Sequence, residues 1–496
     1  MLHCMAVFVL LTAVTAAPAP APSSTLSGSP AAGPDASVPT IPANAGGPVA
    51  APSSFSGPTC VFTLIGTSKT VGSPAAAPSV TASSVGSGST SGLLTTANIS
   101  CTGGTISVTG GTAFRSFSSS FKGVTFSEDA NTPETSLLLA GQTLNVVNSV
   151  FQGLSTGANG TLSLQNTSAS FYNTSFQQTN GSFAGAIFAT PNSAVSVMNS
   201  SFTNNIGGQA GAIYMGDQSL LTVTNSFFEG NSASQGGAIA VTGATRVQIE
   251  ESEFYDNSAK NGGGVYMMGC GSSSVVGNYF EGNAASVSGG AIYQQNCTGN
   301  NVGNEYYDNY GQNGGAFWLN SVSGAQIYGD VFVNNTAKNG TGGIEMNTVD
   351  GSVSQCKFNS NKGAKGAALY ESNSQVAVTS CSFVSNRATG SGGAVYRTSS
   401  GGDLTGAVFT ANSANTSGGV IYDAQVNGDI SGTFSRNTIT GSGTSSTSKS
   451  IIFRQQSSGS ISAPGVASFG GIASGRFGRF TSHAKQLTCC HVNITI

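Results

Sequence analysis

The sequence predicts an all-β fold, a single-stranded parallel β-helix of about 13 coils of 25–26 residues, on three observations. A phrase is written twice, FEGNSASQGGAI from Phe228 and FEGNAASVSGGAI from Phe280. An aromatic returns at Phe126, Phe151, Phe176, Phe202, Phe228, Phe254, Phe280, Tyr306, Phe332, Phe358, Phe383, Phe409 and Phe434, every step 25 or 26 residues. Short runs such as AVSVMNSSF, RVQIEESEF and QVAVTSCSF alternate with β period, and no repeat holds a helical pattern. Helical solenoids are thereby excluded, and a unit of this length is too short for a propeller blade of about 40 residues. Stacked coils about 4.8 Å apart remain, with equivalent residues in vertical columns.

Along the chain, MLHCMAVFVLLTAVTAA opens with an apolar run from Met5 to Val14 that is too short to span a bilayer. Residues 1–16 read as a secretory signal peptide cut after Ala16. Residues 17–57 form a Pro/Ala/Ser-rich linker whose composition cannot bury a core. Residues 58–120 are expected to be an N-terminal cap with the first irregular coils, residues 121–440 the β-helix, and residues 441–496 a C-terminal cap or flexible basic tail.

Within the coils, the aromatic column is expected to stack inward, with Ile187, Ile213, Ile239, Val265 and Ile292 filling the opposite part of the core. Three residues after the aromatic stands Asn205, Asn231, Asn257, Asn283, Asn309, Asn335, Asn361, Asn386, Asn412 or Asn437. A catalytic residue has no reason to recur ten times, so this column reads as a structural amide ladder at a bend. The recurrent Gly-Gly of the second phrase supplies backbone angles that a β-carbon forbids.

Composition narrows the function. Only 7% of the 496 residues are charged and the net charge is −3, so nothing resembles a nucleic-acid-binding surface. The charge is uneven: nine acids and only Arg246 and Lys260 lie between Asp217 and Asp308, while six bases and no acid follow Asp429. Eleven Asn-x-Ser/Thr sequons and an even count of eight cysteines after loss of Cys4 fit an exported protein. Column spacing predicts disulfides Cys270–Cys297 and Cys356–Cys381, and Cys60–Cys101 could staple the cap; Cys489 and Cys490 have no assigned partner. No later segment is apolar for the ~20 residues of a membrane helix.

The phrases FEGNSASQGGAI, FYDNSAKNGGGV, FEGNAASVSGGAI, YYDNYGQNGGAF and FVSNRATGSGGAV resemble the GGAI/FxxN repeats of bacterial polymorphic outer membrane proteins, over about residues 120–440. That resemblance implies a right-handed β-helix adhesin at a cell surface, although nothing after Asn437 resembles that family's C-terminal autotransporter barrel. The repeats also resemble those of large secreted proteins of the pectin-lyase-like superfamily, whose members include polysaccharide lyases and glycoside hydrolases.

Two sets of surface residues are candidates for function. The column after the core Ile, comprising Phe188, Tyr214, Tyr266, Tyr293, Trp318, Tyr370, Tyr396 and Tyr422, should face outward, where rings suit sugars or a partner surface. Glu229, Glu251, Asp256, Glu281 and Asp308, joined by Glu250 and Glu253, would form a negative stripe able to hold Ca²⁺ or simply to be solvated. His3, His483 and His491 all lie outside the coils, and no catalytic set is assigned. The expectation is a secreted surface or cell-wall protein that binds carbohydrate or protein without a cofactor; the alternative is a polysaccharide lyase or glycoside hydrolase on the same scaffold.

Overall fold

The computed structural model describes residues 59–64, 67–71, 94–103, 105–108, 113–128, 137–139, 143–155, 159–441, 450–463, 466 and 469–470. All of them lie in the unit formed by residues 44–496. The expected signal peptide, the expected linker, and Cys489 and Cys490 lie outside the described residues. The described chain is a right-handed parallel β-helix of about 12 turns. Thirteen aromatic rungs delimit those twelve turns.

Each turn places three short strands in one continuous ladder, as in Ile239–Thr242, Arg246–Glu250 and Glu253–Tyr255. A fourth short strand, from Ser258–Asn261 onward, builds a separate eight-stranded ladder. Every strand pairs in parallel with its equivalent one turn on, so that Ile213 opposes Ile239, which opposes Val265. The N-terminal end departs from this rule: Thr59–Leu64 pairs antiparallel with both Thr67–Val71 and Leu94–Thr102. Parallel stacking already begins between Leu94–Thr102 and Ala113–Lys122. It also runs past residue 440, because Ile421 opposes Ile452 and Ile452 opposes Phe469. The 31 residues between Ile421 and Ile452 exceed the usual step, which is why the repeat is not visible there in the sequence.

Burial follows the columns. Consecutive rings from Phe126 to Phe434 lie 4.5–5.2 Å apart with interplanar angles of 3–13°. Strand stacking enforces this face-to-face geometry, since one ring per turn at the strand spacing leaves no room for an edge-on arrangement. The two glycines of the recurrent phrase have separate tasks. The first is left-handed at Gly262, Gly289 (φ +69°), Gly314, Gly366, Gly392 and Gly418. The second stands where a β-carbon would strike the next turn's backbone, as Gly237 would strike the carbonyl of Gly263.

Polar ladders tie the bends. The Asn257 carboxamide oxygen accepts from the backbone N–H of Asn231 at 3.0 Å and from its Nδ2 at 2.9 Å, while Asn257 Nδ2 donates to the carbonyl of Phe228 at 3.0 Å. The pattern repeats from Asn205 to Asn437, so buried N–H and C=O groups that no strand satisfies acquire partners. A second ladder sits two residues before the aromatic. Ser200, Ser226 and Ser252 pass into Asn278, Asn304 and Asp330, each accepting from the backbone N–H one turn earlier.

The cysteines occupy such ladders. Cys270 and Cys297 are joined, with Cα atoms 4.7 Å apart. Cys356 and Cys381, expected as a second bridge, are instead buried free thiols. They continue the serine-asparagine ladder, and their thiols donate to the carbonyls of Ser354 and Thr379 at 3.3 and 3.4 Å, as a serine hydroxyl would. Cys101 is disulfide-bonded, and the antiparallel register sets Cys60 opposite it.

Candidate binding face

The outward aromatic column is a ladder, and its geometry limits what it can offer. Tyr266, Tyr293 and Trp318 stack at 4.8 and 4.4 Å, and Tyr370, Tyr396 and Tyr422 at 5.4 and 4.6 Å. Phe188 and Tyr214 form a third stretch at 5.4 Å, and Phe453 extends the last one. Ring faces therefore cover each other. The glycine turn also lies against their base, since a β-carbon on Gly314 would sit 2.9 Å from Trp318 Cβ. Tyr266 is 9% exposed and the others are half-buried. Edges rather than faces are offered to a ligand, so the column stiffens one side of the helix.

Two interruptions divide this column, at Ala240 and Glu345. Glu345 turns its carboxylate onto the N–H groups of Gly314 and Thr341 at 3.1 and 3.4 Å. Burial raises its pKa, opposed by those hydrogen bonds.

The expected acidic stripe is not continuous. Glu229 and Glu281 are two turns apart with Tyr255 between them. Asp256 and Asp308 occupy left-handed bend positions with φ near 50°, again two turns apart, and Glu251 sits at a different bend, between Arg246–Glu250 and Glu253–Tyr255. Two strand spacings, about 10 Å, equal roughly one Debye length at 0.1 M salt, so like charges never stack directly. Among the described residues no three His, Cys, Asp or Glu gather as a metal would require.

What the acids join instead is a mixed surface on the strands that carry the core phenylalanines. Positions on either side of that column point outward. On one side Phe227, Glu253, Tyr279 and Glu305 follow one another turn by turn; on the other, Glu229, Tyr255, Glu281 and Tyr307 do so. Acid and ring thus alternate both along and across four strands. The rings touch diagonally, with centroids 5.3–5.5 Å apart and tilts of 26–40°. Tyr279 donates to Glu281 at 2.9 Å, Tyr307 donates to Glu305 at 3.0 Å, and Tyr255 is hydrogen-bonded to Glu253. Burial, then the neighbouring carboxylate, pushes Tyr307 up to about 12 and raises Tyr255 and Tyr279 as well. These hydroxyls therefore stay protonated and hold the carboxylates in place.

Sequence reasoning picked out Glu229, Glu253 and Glu281 but missed Tyr255, Tyr279, Tyr307 and Phe227. The signal was available, because each of these rings immediately flanks the repeating aromatic and alternation sends it outward. The same argument inverted would have found a buried charge column. One residue after the outward Tyr370, Tyr396, Tyr422 and Phe453 stand Glu371, Arg397, Asp423 and Arg454, all inside the helix. Arg397 binds Asp423 in a bidentate pair at 2.9 and 2.8 Å, and Arg454 Nε approaches the same carboxylate at 3.2 Å. Neither oxygen of Glu371 has a partner, and burial raises its pKa to about 8. Enclosed by coils, these charges are out of reach of a polymeric substrate.

Comparison with known proteins bears on the fold. Residues 211–383 match the family described as the right handed beta helix region, and residues 380–396 match the Chlamydia polymorphic membrane protein repeat. The chain is similar to crystal structures of a periplasmic alginate epimerase, AlgG, and of a double mutant of it. Identity is 9% and 8% and the TM-scores are 0.27 and 0.29, covering 78% of this chain and 85% of the epimerase in each case. No curated protein matches. No helix among the described residues is long and apolar enough to cross a membrane.

Proposed function

We propose that this β-helix is a cell-envelope or secreted surface protein that adheres to a partner through its long faces and performs no chemistry on it. One observation carries the reading: the acid-bearing surface around Tyr255, Tyr279 and Tyr307 has carboxylates locked onto tyrosine hydroxyls rather than poised in an acid-base pair. A glycoside hydrolase or lyase needs carboxylates with opposed protonation, or a base of tuned pKa, facing one bond. Glu371 and Asp330, described carboxyls that burial raises to about 8, are sealed inside the coils. The polymorphic membrane protein repeat at residues 380–396 supports a location at the cell envelope.

The test is incubation of the whole protein with acidic and neutral polysaccharides, with and without Ca²⁺. Chain length, unsaturated ends and uronate epimer content are followed beside retention on the immobilised polymer or on cell-wall protein. Retention without turnover is expected. Turnover abolished by Glu251→Ala or Asp256→Ala would overturn the proposal in favour of an enzyme.

A further inference from the structure

We infer that the alternating tyrosine-glutamate face of residues 227–307 is a docking surface for an extended, arginine-bearing segment of a partner protein. This rests on the adhesive reading above and supplies the chemistry of the partner. The eight outward positions Phe227, Glu229, Glu253, Tyr255, Tyr279, Glu281, Glu305 and Tyr307 hold four carboxylates, four rings and no base. The face is bounded by Ser201 and Thr203 at one end and by Val331 and Val333 at the other.

Its hydrogen-bonding inventory is one-sided. The hydroxyl protons of Tyr279 and Tyr307 are committed to Glu281 Oε2 and Glu305 Oε2, so the surface presents acceptors and π-faces but few donors. Such a surface is complementary to a group that donates several hydrogen bonds, carries positive charge and stacks on a ring. A guanidinium does all three, whereas an ammonium is a compact point charge that cannot stack. An acidic polysaccharide would meet like charge here. The surrounding field has the same sign, because nine acids and two bases lie between Asp217 and Asp308. Tilts of 26–40° between diagonal neighbours, unlike the near-parallel packing of the other ladders, leave part of each ring face open for stacking.

The experiment measures binding of fluorescent oligo-arginine and oligo-lysine peptides of equal length to the full chain at low and physiological salt. A Glu253→Gln/Glu281→Gln/Glu305→Gln variant removes three charges from the face. An Asp217→Asn/Asp350→Asn/Asp403→Asn variant removes three elsewhere. Thermal melting checks that both remain folded. The expected result is arginine peptide bound at least tenfold more tightly than lysine peptide, with affinity falling tenfold or more in the face variant and less than threefold in the other. Equal binding of the two peptides, or equal loss in the two variants, would overturn the proposal in favour of diffuse charge attraction. If neither peptide binds but a neutral glycan does, and Tyr255→Ala/Tyr279→Ala/Tyr307→Ala abolishes that binding, the partner class is wrong while the adhesive face stands. If no ligand responds to any face variant, both fail.

Discussion

Asp330 shows how one side chain takes its protonation state from a column. It stands where Asn278 and Asn304 stand in the turns before it, and those amides donate back 29 residues to the carbonyls of Ile249 and Val275. The equivalent acceptor for residue 330 is the carbonyl of Asn301, and only a protonated carboxyl can donate to it. Burial accordingly raises the Asp330 pKa to about 8 against the hydrogen bonds from Asn304, and Oδ2 has no other partner. Glu371 is raised to the same region. In the unfolded chain both ionise in the ordinary carboxylate range. The folded state therefore binds more protons across the window up to about pH 8, and stability falls as pH rises through it. Asp330→Asn should restore the amide donor, flatten that fall and stabilise by about 1 kcal/mol at pH 8 or above, read from urea melts at pH 5 and pH 8. Glycines separate by the same logic of place. Gly303 has φ +63° and open space around a would-be β-carbon, so Gly303→Ala should cost about 1 kcal/mol. Gly237→Ala drives a methyl into the next turn's carbonyl and should cost about 3 kcal/mol or more in the same melts.

At the scale of the strand, the charge column at the C-terminal turns is the clearest dependence of one element on the next. Asp423 lies between Arg397 and Arg454 with both its oxygens engaged. Asp423→Asn leaves two buried guanidinium groups without a counter-charge and should cost about 3–5 kcal/mol in denaturant melts. Replacing Arg397, Asp423 and Arg454 together with Met, the residue found at the equivalent Met215 and Met346, should recover most of that loss. This column also marks where the sequence could and could not be read. The Phe, Ile and Asn columns were legible because most turns repeat one kind of residue at one spacing, which is the signature of a position with a single physical task. Glu371, Arg397, Asp423 and Arg454 share a position with Leu319 and Met346 but not their chemistry, so a search for recurrence passes over them. Tyr255, Tyr279 and Tyr307 escape for a related reason: they alternate with acids between two columns, and neither column repeats. The free thiols of Cys356 and Cys381 were misjudged because spacing reports that two residues stack, not whether their sulfur atoms are needed as donors to carbonyls.

For the molecule as a whole, vertical registry is the controlling variable. Phe332 opposes Phe358 after 26 residues, and each ladder on that turn advances by a full turn with it. Excision of residues 333–358, one complete turn, should leave a folded β-helix with its β circular dichroism and cooperative melt. Excision of half as many residues from the same place should abolish both, because it drops inward residues into outward positions and severs every ladder at once. The antiparallel hairpin at Thr59–Val71 gives the stack a directional start.

The separation of inner columns from outer faces has a bearing on how such a surface changes over time. Since Phe228, Phe254, Phe280 and Tyr306 keep their stations whatever stands beside them, the flanking residues can be rewritten without disturbing the spine. A recognition patch can therefore migrate up or down the rod, lengthen by duplication of a turn, or be erased, while the architecture that displays it persists.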